Sequence, residues 1–356
     1  MTSSVPYTDL LKEMISIPAT SRTEGIRADF LAGELKGMGL TVERIHNNLL
    51  VRNPRGKGLR ILLNSHLDTV APAAGWTSDP FVPVHEGDRI TGLGANDAGA
   101  SVVTLITAYR EMAPRLEGVV DLMLLISAEE EVSGSDGISA VLPMLGELDG
   151  VMVGEPTGMQ PAVAERGLMV LDGVTRGEAG HAARGEGTNA IYLAMKDIGA
   201  IASLTFSETS QWLPDPGAQV TMISAGTGHN VVPDLCRFVV DVRSNDLYGN
   251  VRMLALLREV CSSDLQPRST RLNPSMLDKD HLLMKTVRAC ALNPFGSSTL
   301  SDMALIPYPS LKMGPGESVR SHTAGEYILE SELQAGVEGY CAFLACLKEQ
   351  CNMNQS

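Results

Sequence analysis

The sequence lacks an apolar run long enough to cross a bilayer. A membrane helix needs about 20 such residues, and the longest run, Val119 to Ala128, is interrupted by Asp121. Cations are scarce: 28 Lys and Arg face 42 Asp and Glu, for a formal net charge of −14. This argues against a nucleic-acid partner, which calls for a basic face. A small anionic substrate stays open, because one or two arginines in a pocket bind a carboxylate whatever the global charge. The first ten residues show neither a basic start nor an apolar signal core, so the expected location is the cytoplasm. The six cysteines, Cys236, Cys261, Cys290, Cys341, Cys346 and Cys351, form no paired framework and read as reduced thiols. Gly92 to Gly99 is glycine-rich, but no Gly-Lys-Ser/Thr follows it, so no phosphate cradle is expected there. Internal repeats and low-complexity segments are missing too.

What is present is a chain of 356 residues, long enough for two cores. Helices are expected over Tyr7–Met14, Thr23–Met38 and Ser101–Met112, with strands at Thr41–Ile45 and Asn48–Arg52 and a turn at Asn53–Gly58. Three further apolar strands each run directly into polar chemistry. Ile61–Leu63 leads to His66 and Asp68, Val119–Ser127 to Glu129, Glu130 and Glu131, and Val151–Val153 to Glu155. Strands that alternate with helices predict a mostly parallel α/β sheet flanked by helices, whose carboxyl edge collects these groups. From about Ala164 the pattern changes to half-exposed strands at Leu168–Val174, Gln219–Ser224 and Leu235–Arg243, with helices at Asn189–Ala202 and Asn250–Cys261. This predicts an inserted α+β domain over 164–274, with 1–163 and 275–356 forming the first domain. Helices around His281–Ala291 and Leu329–Cys351 close the chain.

Taken singly these residues are ambiguous. His66 and Asp68 could be a surface imidazole beside a capping carboxylate, and Asp97 could be a helix N-cap. Together, His66, Asp97, Glu131, Glu155 and His322 are nitrogen and oxygen donors of the kind that suits a pair of divalent ions such as zinc. A carboxylate adjacent to the ligands would serve as base, and Glu130 stands next to Glu131.

Five ordered motifs, Ser-His-Leu-Asp-Thr-Val (65–70), Gly-Leu-Gly-Ala-Asn-Asp-Ala-Gly (92–99), Ala-Glu-Glu-Glu (128–131), Gly-Glu-Pro-Thr (154–157) and Ser-His-Thr-Ala-Gly-Glu-Tyr (321–327), span most of the chain. It thereby resembles the zinc-dependent amidohydrolase and exopeptidase family of acetylornithine deacetylase, succinyl-diaminopimelate desuccinylase, aminoacylase and glutamate carboxypeptidase. The resemblance implies two Zn2+, with Co2+ or Mn2+ as substitutes. His66 and Glu155 would hold one, Glu131 and His322 the other, and Asp97 would bridge them. Asp68 would support His66, and Glu130 would take a proton from the attacking water and return it to the leaving amine. The family usually writes Asp-Glu-Glu where this chain has Glu129-Glu130-Glu131; one register earlier, Glu129 would be the base. The inserted domain resembles the family's lid, which implies a homodimer. His181 would polarise the scissile carbonyl from the partner subunit, Asn230 and Arg243 would bind substrate, and Gly314 and Gly316 would let backbone amides approach it. For a succinyl tail, Arg184 is the candidate cation. The stretch Ser301 to His322 looks most like the acetylornithine or acetylcitrulline branch, implying an N-acyl amino acid substrate in arginine biosynthesis. The alternatives are a dipeptidase or carboxypeptidase on the same scaffold, and a succinyl-diaminopimelate or acyl-lysine deacylase. A catalytically silent relative would have lost a ligand or the base, and this chain retains all of them.

Overall fold

Four parallel strands, in the order Val120–Ser127, Leu59–His66, Gly150–Val153 and Ser310–Lys312, form the centre of a mixed sheet in the computed structural model. The structure describes residues 7–53 and 56–355; residues 1–6 and the Pro54-Arg55 pair of the expected turn lie outside them. Antiparallel strands flank the parallel centre. Val42–Ile45 and Asn48–Val51 form a hairpin on one side, and Ala162–Glu165 pairs with Ser310–Lys312 on the other. This is the largely parallel α/β sheet that the alternating elements predict.

The central strands are buried on both faces, which explains their near-continuous apolar sequences. On one face Leu62, Met123, Leu125, Val151 and Val153 pack against Ile138, Val141, Leu142 and Leu145 of the helix Ile138–Leu145. The helix Ala100–Leu116 packs on the Leu59–His66 and Val120–Ser127 strands and on the long closing helix Glu330–Gln355. Among the described residues no helix is long and apolar enough to cross a membrane. All six cysteines are free.

By contacts the chain divides into two units. The first comprises Met1–Val163, Leu277–Phe295 and Ser301–Ser356, the second Ala164–Met276 with Gly296–Leu300. The second unit is built on a four-stranded antiparallel sheet in the order Gly217–Ala225, Leu235–Ser244, Gly167–Arg176 and Asp264–Pro267. Burial alternates residue by residue along Gly167–Arg176, as a sheet with one covered face requires. Met169, Leu171, Phe238 and Val240 meet Leu257 of the helix Asn250–Val260 and Ala194 of the helix Ala190–Ala202 in its core.

Candidate metal centre

Each parallel strand delivers chemistry just beyond its carboxyl end, where the crevice of an open α/β sheet lies. His66 is the last residue of Leu59–His66; Glu130 and Glu131 sit in the single turn Glu130–Val132 that follows Val120–Ser127; Glu155 is two residues past Gly150–Val153. Asp97 precedes the helix Ala100–Leu116, and its peptide bond to Ala98 is cis. His322 comes from the loop between Ser310–Lys312 and Tyr327–Leu329.

Asp97 stands between two sets of donors. Its Oδ1 is 3.2 Å from Nε2 of His66, while its Oδ2 is 3.6 Å from Nε2 of His322. On the His66 side, that same Nε2 is 3.8 Å from Glu155 Oε1 and 3.9 Å from Glu130 Oε2. On the other, His322 Nε2 is 3.0 Å from Glu131 Oε2. Donor atoms about 2.0–2.1 Å from a tetrahedral ion are spaced on the order of 3.3 Å from one another, so these separations suit one cation on each side of a shared carboxylate. His66, Asp97 and Glu131 form one group able to hold an ion, and His66, Glu130 and Glu155 another.

The electrostatics point the same way. Burial first, then the charge of Asp97, pushes Glu155 up to about 8. Burial likewise pushes Glu130 well above the carboxylate range. Burial also raises Asp97, but the hydrogen bond and charge of His66 outweigh it and hold Asp97 low. The hydrogen bond to Glu131 raises His322 to about 9. Four carboxylates crowded around two imidazoles are poorly compensated by protein alone, and divalent cations would relieve that repulsion. The donor set therefore fits the expected metal pair.

Positions behind the donors are fixed by hydrogen bonds. His66 Nδ1 is 3.0 Å from the main-chain oxygen of Asp68, to which it donates, so Nε2 is the ring nitrogen that faces Asp97 and would bind a cation. The Asp68 carboxylate is farther from the ring, at 3.5 Å. It accepts instead from Ser21 Oγ at 2.6 Å and from the amides of Glu130 and Glu131 at 3.1 and 3.3 Å. Asp68 thus ties the turn that carries Glu130 and Glu131 to the strand end that carries His66. Glu129, the alternative base, adopts a left-handed φ of 55°. Its carboxylate lies so close over Gly134 that a Cβ there would sit 1.6 Å from Oε2; Glu130 is the one that reaches the donors.

Among the buried charges that the sequence does not reveal are Asp302 and Arg27. Asp302 accepts from Asn64 Nδ2 at 2.9 Å and Ser127 Oγ at 2.7 Å, joining the ends of two neighbouring strands. Arg27, 3% exposed, donates to Leu67 O, between His66 and Asp68, and twice to Ile17 O. Gly314 and Gly316 are both closely packed. The Gly314 amide donates to Thr157 Oγ1 at 3.1 Å, and a Cβ on Gly314 would lie 2.5 Å from the Glu155 carbonyl oxygen. A Cβ on Gly316, at φ 84°, would lie 2.2 Å from Asn96 Oδ1. Both glycines are required by close packing of protein on protein, and the Gly314 amide is already satisfied there.

In the second unit, Gly180-His181 pairs with Val231-Val232, and Ala182 N donates to Asn230 O at 3.1 Å, so His181 and Asn230 share one exposed ladder. His181 Nδ1 accepts from Ala183 N. Arg243 presents its fork to Asp241 of the same strand, at 2.7 and 3.1 Å. Arg184 lies 3.8 Å from Glu186 on an exposed turn.

With a parallel sheet edge gathering such a donor set, the class is that of metal-assisted hydrolases. The chain belongs to peptidase family M20/M25/M40, whose model matches residues 62–345. It is similar to the succinyl-diaminopimelate desuccinylase of Gluconobacter oxydans, with 31% identity over 73% of this chain and 74% of the relative. That of Sphingopyxis alaskensis is 29% identical over the same shares of the two chains. Among solved structures, aminopeptidase PepT from Bacillus cereus shares the fold, with a TM-score of 0.76 at 20% identity over 96% of this chain and 98% of the other. The branch of the resemblance thereby shifts: these relatives are desuccinylases, and the expected acetylornithine branch finds no support among them.

Proposed function

We propose that this protein is a two-metal amidohydrolase that removes the acyl group from a small N-acyl amino acid, with N-succinyl-diaminopimelate as its first candidate substrate. The observation that carries the reading is the shared Asp97, flanked at 3.2 and 3.6 Å by His66 and His322 with a carboxylate beside each. When bound, a pair of zinc ions there would supply the Lewis acidity that activates water and polarises the amide carbonyl. Glu130 takes the proton from the attacking water and passes it to the departing amine. Asp68, by holding the Glu130 and Glu131 amides, keeps base and ligand in register during that transfer. His181 and Asn230 bind the scissile group and Arg243 a substrate carboxylate; Arg243 would exchange its Asp241 partner for substrate. Arg184 is the candidate for the succinyl tail. Similarity to succinyl-diaminopimelate desuccinylases supports a succinyl rather than an acetyl substrate for this chain, so the arginine-pathway expectation ranks behind.

The partner is a second copy of this chain, met through the edge strand Gly217–Ala225. That strand is exposed over residues 221–225 and carries Met222 and Ile223 at 65% and 56% exposure. Tyr192 and Met195 of the Ala190–Ala202 helix are exposed as well. An uncovered apolar edge of this kind invites pairing with another strand.

The test is amine release by zinc-loaded protein from N-succinyl-diaminopimelate, N-succinylornithine, N-acetylornithine, N-acetylcitrulline and a set of di- and tripeptides. Preference for the succinyl compounds is expected. Turnover of peptides alone would replace the deacylase reading with an exopeptidase one.

A further inference from the structure

The glycine-rich stretch 92–99, set aside above as a nucleotide cradle, does bind an anion, but an internal one. Gly94, in the left-handed region at φ 76°, turns three backbone amides toward a single side chain. That side chain is the buried carboxylate of Glu326, 2% exposed. Its Oε2 accepts from Gly94 N at 3.1 Å, and its Oε1 accepts from Asn96 N and Asp97 N, both at 2.9 Å. Successive amides gathered by a turn are an anion-binding nest, and charge-assisted hydrogen bonds of this type are roughly twice as strong as neutral ones.

The two ends of this clasp carry ligands of the proposed metal pair. Asp97, whose amide is bound, is the shared carboxylate. Glu326 lies four residues after His322 on the closing loop. A second set of bonds runs the other way: Asn96 Nδ2 donates to Glu317 O and Ser321 Oγ, both at 3.2 Å, and Asn96 Oδ1 accepts from Glu317 N at 3.1 Å. The closing loop is thus stitched to the Asp97 loop on either side of His322. His322 itself has a φ of 60°, a conformation unfavourable for a residue that carries a Cβ, which persists only where the surroundings impose it. Its ring is half exposed, and its Nε2 reaches Asp97 and Glu131.

We infer that Glu326 and Asn96 are positioning residues that couple His322 to Asp97, so that the cation on the Glu131–His322 side binds only when this clasp is closed. The inference rests on the two-metal reading above and deepens it: one cation site, His66 with Glu155, is built on strand ends, whereas the other depends on a loop held from behind.

Zinc titration into chelator-stripped full-length protein, followed by calorimetry, tests this without reference to turnover. Wild type should take two equivalents. Glu326→Gln keeps the side-chain shape, but its NH2 group cannot accept from Gly94, or, turned over, from Asn96 and Asp97. One equivalent should keep its native affinity and the other should weaken by about 10–100-fold. Asn96→Ala should do the same, and it decides the matter should Glu326→Gln fail to fold. Native affinity for both equivalents in a folded variant, or equal weakening of both, would overturn the inference while leaving the two-metal reading intact. Wild type that bound fewer than two equivalents would overturn both.

Discussion

Glu130 is the side chain on which the proposed proton transfer turns, and it is separable from the ligands by substitution. Glu130→Gln should retain both zincs, measured as metal content after gel filtration, and lose about 10²–10⁴-fold in kcat. An unchanged rate would reassign the base, with Glu129 the next residue to replace. Three of the candidate donors, His66, Glu131 and Glu155, stand out in the sequence because each follows an apolar strand, where a charged group has no reason to be unless the strand end opens on a site; Asp97 and His322 lie in glycine-rich loops and stand out only through their motifs. Arg27 and Asp302 do not stand out. Arg27 sits in the helix Gly25–Gly37, where sequence pattern cannot distinguish an inward arginine from the solvated ones that helices usually carry. Asp302 is marked by no periodicity, and its partners Asn64 and Ser127 lie far away along the chain. Networks formed by residues remote in sequence become visible only once the strands are placed side by side.

Individual elements carry their own ties. In the second unit, Asp197 of the helix Ala190–Ala202 is 2% exposed and accepts from Ser262 N at 3.1 Å and Ser263 N at 2.8 Å, with both serine hydroxyls also donating to it. Burial raises its pKa, but these hydrogen bonds outweigh it and hold the carboxyl below its usual range. A depressed carboxylate stabilises the folded state at pH values above the unfolded value of about 3.9. That contribution is lost as the pH falls through the lower, folded value. Asp197→Asn should therefore lower stability by about 2 kcal/mol at pH 7, and the gap from wild type should close only below about pH 4. Urea melts across that range measure it. A gap independent of pH down to 2 would show that the charge is not what matters. Most helices and the long strands of both units lie where apolar spacing puts them, within a few residues. The strand Ser310–Lys312 escaped notice because a single leucine stands between a serine and a lysine, and the buried Lys312 reads as a surface residue. The helix Ile138–Leu145 was hidden by Pro143 and by its short length.

For the whole molecule, the assembly proposed through Gly217–Ala225 predicts that Met222→Lys combined with Ile223→Lys leaves each chain folded but shifts it from dimer to monomer in sedimentation velocity. A wild-type chain that sediments as a monomer at all concentrations would end that proposal. The sheet of the first unit has a consequence for how the molecule is made. Ser310–Lys312 is wedged between Gly150–Val153 and Ala162–Glu165, two strands that leave the ribosome almost together and well over a hundred residues before it. Until it arrives, the nascent protein holds a slot flanked by two hungry edges, and His322 has yet to be synthesised at all. The growing chain thus cannot acquire a finished reaction centre early, and a ribosome that stalls before residue 310 releases a product that is both inert and sticky, a natural client for chaperones.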